Sequence, residues 1–136
     1  MKLLAFVGAC LAAGLLAATP VHAEQEEIVG TMELLDDAFK GLRKATGPEG
    51  VKLARDAQAS VLKALTLIPE MAAKMPEGPA KELALVDYRR LLGLVYLKFL
   101  EIEKAHLEGK PEAVEALRDQ LDELRKEGHR SHVEQD

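Results

Sequence analysis

From Glu26 to Ala45 the apolar residues fall at Ile28, Met32, Leu35, Phe39 and Leu42, spaced by four and three, which is the seam of an amphipathic helix. Glu26, Glu27 and Glu33 near its start and Arg43 and Lys44 at its end complement the helix dipole. Gly47-Pro48 ends this helix and opens the next, since a proline at the first helical position gives up no hydrogen bond that the helix needs. A second stripe, Val51, Ala54, Gln58, Val61, Leu65 and Ile68, repeats the period up to Pro69. Pro69, Pro76, Gly78 and Pro79 then mark a longer connection, with room for one helical turn around Met71 to Lys74.

A third helix is predicted from Pro79 to Glu108, with Leu85, Tyr88, Leu92, Val95, Phe99, Ile102 and His106 on one face. It is the longest and most apolar element, and Leu83, Leu85, Leu91 and Leu94 read as core or inter-helix packing. Gly109 supplies the left-handed residue that ends it, and Pro111 opens a fourth helix with Val114, Leu117, Leu121 and Leu124 at the same spacing. Beyond Ser131 the chain is polar and is expected to fray. No strand period, glycine-rich phosphate loop or internal repeat competes with these helices, so the expected fold is all-α, an antiparallel up-down-up-down four-helix bundle.

Composition agrees. The chain is 48% hydrophobic and 30% charged but only 4% aromatic, without Trp, which suits a small domain of helix formers and not a β-sandwich. The first residues change the picture more. Lys2, the run Leu3 to Ala18, Pro20 and the small-residue end Val21-His22-Ala23 have the form of a secretory signal peptide over residues 1–23, which implies a periplasmic domain over 24–136 and no membrane attachment after cleavage. Cys10 loosely fits a lipobox, but hydrophobic sequence continues past it, so it reads as part of the leader.

The remainder then has no cysteine, which excludes thioether-attached haem, thiolate-bound zinc and iron–sulfur clusters, and leaves core packing to stabilise the fold. The formal charge of −5 becomes −6 once Lys2 leaves with the leader, which disfavours nucleic acid as a partner.

In the expected topology the start of the first helix and the end of the fourth share one end of the bundle, so Met32 and His129 approach across the core. A thioether and an imidazole on opposing helices are a pair that ligates the two axial positions of a haem iron. Taken alone, Met32 on a heptad seam is an ordinary gap-filling core residue, and His106 near a helix C-terminus is placed for the dipole. Arg125 is equally suited to a surface pair with Asp122 or to a ligand carboxylate. Periodicity at about 100° per residue puts His132 nearer the centre of its stripe than His129, which lies on the flank.

Through Met32-Glu33 followed by Leu35 and Asp37, Val51-Lys52, Tyr88-Arg89, Glu108-Gly109-Lys110, Gln120-Leu121, and Arg125 four residues before His129, the chain resembles the soluble periplasmic cytochrome b562 family. The resemblance spans most of residues 24–136 and is weakest in the second helix. It implies one non-covalent haem b per chain with Met32 and His129 as axial ligands and Arg125 beside the haem. Leu35, Phe39, Tyr88 and Leu92 are the expected lining: Tyr88 keeps an aromatic position, Leu92 replaces another aromatic, and Phe39 adds one. Gly128 stands where the family has an aromatic residue, which loosens the helix just before the histidine. The match selects His129 where periodicity selects His132.

The function expected from this resemblance is electron transfer and not catalysis: both axial positions are filled, and no nucleophile–base or paired-carboxylate constellation is present. The expected partners are redox proteins, and the expected state is a monomer or weak dimer. The alternative is a haem-free helical protein of structural or binding role, including one that takes Cu(I) through Met32, His129 and His132. A helical chaperone is a third reading, carried only by charge and helix content.

Overall fold

The computed structural model describes residues 20–133, and within them the chain is helical, with no strand. The elements are α1 (Pro20–Gly41), α2 (Gly47–Ala64), the single turn α3 (Glu70–Lys74), α4 (Pro79–Leu107) and α5 (Pro111–His132). Residues 1–19 of the leader-like segment 1–23, with Cys10, lie outside the described residues, and its last four form the start of α1.

The proline-started helices begin where the sequence puts them, with Pro48, Pro79 and Pro111 each in the first turn. The end of α4 is set by Gly109 at φ 66°: Lys110 N–H donates to the Ala105 carbonyl at 2.9 Å and Gly109 N–H to His106 at 3.3 Å, the two bonds of a Schellman stop. Three boundaries differ from expectation by several residues. Helix α1 starts at Pro20 and ends at Gly41, not from Glu26 to Ala45, because Arg43 and Lys44 bond back only three residues, to Lys40 and Gly41, and tighten the chain into a turn that still buries Leu42 and Ala45. Helix α2 stops at Ala64 for the same reason, with Thr66 bonded to Lys63 and Leu67 to Ala64 as the chain approaches Pro69.

The core is centred between α2 and α4, which share the most extensive interface. Ala54, Ala57, Val61 and Ala64 form a fully buried small-residue face on α2, and Phe99 and Ile102 of α4 are buried in the same cluster. Tyr88 reaches across from α4 to donate its hydroxyl to the Ala64 carbonyl at 2.9 Å. Arg55 and Gln58 of α2 both hold the Glu103 carboxylate of α4, at 2.6 and 2.7 Å. Helix α1 packs on α2, with Gly41 against Leu53 at one end and Glu27 paired to Lys63 at 3.0 Å toward the other. Glu24 and Gln25 extend this contact by bonding the backbone of Ile68, each at 3.0 Å. Helix α5 packs on α4, where Arg90 meets Glu127 at 2.9 Å and Asp87 meets His132 at 2.9 Å.

Leu85, Leu91 and Leu92 are buried as expected, whereas Leu83, read as packing from its sequence, is 70% exposed. The buried side of α4 is fixed by Tyr88, Leu92, Phe99 and Ile102, and at 100° per residue Leu83 points away from that direction. Phe99→Ala should therefore cost about 3–5 kcal/mol in urea unfolding, and Leu83→Ala well under about 1 kcal/mol.

Candidate cofactor site between the first and last helices

Helices α1 and α5 meet mainly through side chains. Phe39, half-buried against the core, offers its ring to two guanidinium groups of α5: Arg118 lies 5.0 Å from the ring centroid and Arg125 lies 5.6 Å from it. Arg118 and Arg125 are seven residues apart, so two helical turns bring both onto the face that looks at α1. Each such contact contributes about 0.5–1 kcal/mol at a partly solvated site.

Carboxylates balance these cations. Arg125 bonds Asp122 at 2.9 Å on its own helix and Asp36 of α1 at 3.4 Å, so it makes the same-helix pair and also crosses to α1. Asp36 also takes Lys40 at 2.5 Å, and this hydrogen bond is the main reason that the Lys40 ammonium holds its proton above the usual lysine range. Asp122 is held below the usual carboxylate range by its hydrogen bonds to Lys126 and then Arg125. One group is left over: Arg118 Nε is buried and has no hydrogen-bond partner. These side chains, with Arg43, Lys44 and Asp119, line a cleft of about 630 Å³ between the two helices. Eight of its nine lining side chains are charged and Phe39 is the apolar one, in contrast to the largely apolar lining usual for small-molecule and cofactor sites.

Of the residues expected at a cofactor, Phe39 and Arg125 line this cleft. Met32 and Leu35 lie earlier on α1, partly buried and packed against the core. His129 is exposed on α5, one turn beyond Arg125. Tyr88 and Leu92 do not line the cleft; both are buried in the core, and Tyr88 is engaged with Ala64. Burial pushes the Tyr88 hydroxyl up to about 12, so it remains a proton donor throughout the physiological range.

His132 has a separate role. Its side chain is only 9% exposed, its Nε2 lies 2.9 Å from Asp87 Oδ2 on α4, and its ring meets the edge of Tyr88 with centroids 5.7 Å apart. Periodicity was therefore a good guide to burial: the histidine nearer the centre of the stripe is the one packed inward, and the flank histidine is left on the surface.

Sequence reading did not single out Arg118, Asp36 or Lys40. The available signals were the heptad between Arg118 and Arg125 and the four-residue spacing of Asp36 and Lys40, both common on solvated helices. Among the described residues no group of three or more His, Cys, Asp or Glu side chains gathers where it could hold a metal ion. A haem asks less of the chain, because the porphyrin supplies four of the iron's ligands. The chain offers it a thioether and an imidazole on the two helices that flank the cleft, an aromatic ring, and a buried guanidinium nitrogen with an unused proton for a carboxylate, although Met32 and His129 stand beyond the cleft's charged lining.

The Asp87 carboxyl is held below its usual range by the hydrogen bond from His132 and then that from Arg90, whose guanidinium also pairs with Glu127. A lowered folded pKa means that the folded chain binds fewer protons than the unfolded one, so this contribution is present above the usual carboxylate range and is lost as pH falls through the folded value. Asp87→Asn should lower the urea midpoint at neutral pH and make it less dependent on pH down to about pH 3.

No family model matches this chain, and no curated protein matches it either.

Proposed function

We propose that this chain is a periplasmic electron-transfer protein that holds one haem b between α1 and α5, with Met32 and His129 as its axial ligands. The contact between Asp36 and Arg125 carries the reading. One turn back along α1 from Asp36 is Met32, and one turn forward along α5 from Arg125 is His129. With the helices in up-down-up-down order, those steps run toward the same end of the bundle, so the thioether and the imidazole fall at matching depth. Opposed ion pairs along α1–α2, α2–α4 and α4–α5 support that order.

His132 sharpens the choice of imidazole. Asp87 and Tyr88 engage it on the α4 side, whereas His129 is exposed on α5. A Cu(I) site built from Met32, His129 and His132 would have to break the Asp87 contact, so the two-ligand reading is preferred.

When bound, the haem supplies a one-electron couple. The chain's residues set its conditions. Met32 brings a neutral thioether, which favours the reduced state relative to a second imidazole and raises the potential. Phe39 contributes an apolar ring to the cleft, and Arg118 and Arg125 offer positive charge to carboxylates. The leader-like residues 1–23 support export.

Protein purified from a periplasmic extract, or titrated with haem, should show a Soret band and a low-spin spectrum. Met32→Ala and His129→Ala should each give a five-coordinate or haem-free spectrum, and His132→Ala should keep the low-spin one. Absence of any haem uptake would instead support a haem-free bundle, and loss of the spectrum in His132→Ala alone would move the ligand by about one helical turn.

A further inference from the structure

The outer face of α4, turned away from the core, carries apolar side chains that no other element covers. Val86 is 56% exposed, Leu97 53% and Leu100 38%, and all three lie within one stripe of the helix. Scattered single leucines on a surface need no explanation, but a row along one long helix does. In the middle of that row stands Gly93. A helix interior disfavours glycine, and here a Cβ would meet nothing within 4 Å, so packing inside the chain does not require it.

The stripe is symmetric about this glycine. Helix α4 runs for 29 residues from Pro79 to Leu107, and Gly93 is its midpoint. Counting outward on the same face, the positions four away are Arg89 and Leu97, those seven away are Val86 and Leu100, and those eleven away are Glu82 and Lys104. If a second α4 lies antiparallel over the first with the glycines in register, Val86 meets the partner copy's Leu100. Arg89 lays its aliphatic stem over Leu97, and Glu82 meets Lys104, each contact occurring twice. A pattern that is complementary to its own reversal fits an isologous two-fold contact, and glycine at the crossing lets the two backbones approach.

We propose that the chain forms a homodimer through the outer face of α4, with the two copies of the helix antiparallel and crossing at Gly93. The self-complementary charges favour a second copy over a lipid surface, since Glu82 and Glu101 lie among the apolar residues and the chain as a whole is acidic, at −5. The residues that line the α1–α5 cleft lie on neither side of this contact. The inference thus stands apart from the haem reading.

Sedimentation equilibrium of the full chain over a wide dilution series tests it. The expected result is a reversible dimer of the 14.8 kDa chain. Gly93→Glu should give a monomer at every concentration, with helix content unchanged because the position is open in the single chain. Glu82→Lys alone and Lys104→Glu alone should each weaken association about tenfold, since each affects two pairs, and the double reversal should restore it. A monomer throughout for the unaltered chain, or a dimer that survives Gly93→Glu, would overturn the proposal. So would a monomer in solution that binds anionic phosphatidylglycerol vesicles through Leu97 and Leu100, which would assign this face to a membrane.

Discussion

The seating of α4 on the alanine face of α2 governs the rest of the molecule. Ala54, Ala57 and Ala64 are wholly buried, and so small a face lets the large Phe99, Ile102 and Tyr88 side chains approach the α2 backbone closely enough for Tyr88 to bond a carbonyl there. Gly50 belongs to the same interface: a side chain at that position would run into the His106 ring, so α2 and α4 also approach closely where α4 ends. Once these two helices are fixed, α1 has one flank of α2 to cover and α5 one flank of α4. The pair left to meet across the remaining side is α1 and α5, and they meet loosely.

That looseness explains the chemistry of the cleft. A tightly packed seam would have been apolar, like the α2–α4 interface. Here Phe39 is the one ring offered, and it is flanked by guanidinium groups whose charges are balanced by Asp36 and Asp122. Solvated pairs of this kind add little stability, because water screens them and ordering two side chains costs entropy. Their physical consequence is an opening between two helices lined by charge, with a single buried donor, Arg118 Nε, left without a partner.

The two faces of α4 differ in what constrains them. Its inner face is set by residues too large to be placed elsewhere, and its outer face is free to vary, yet carries Val86, Leu97 and Leu100 around a central glycine. The conformational entropy that glycine adds to the unfolded chain is a cost with no compensating contact inside the monomer. The same reasoning separates Gly93 from Gly109, where a positive φ of 66° gives glycine an evident local function.

What the sequence determined by itself was local. Proline at the start of α2, α4 and α5 and glycine at the end of α4 act within a few residues, through a missing N–H or an accessible left-handed conformation, so those boundaries were legible without any knowledge of packing. The three-four spacing likewise identified Leu85, Tyr88, Leu92, Phe99 and Ile102 as one buried face. The tertiary structure decided what periodicity leaves open: which flank of a stripe another helix covers. It exposed Leu83, turned His132 to Asp87 while leaving His129 outside, placed Tyr88 and Leu92 in the core and away from the α1–α5 cleft, and brought Arg118 to Phe39 across nearly eighty residues of chain. Those outcomes depend on the rotation and separation of helices, which are set by the sum of many contacts and are written in no single stretch of sequence.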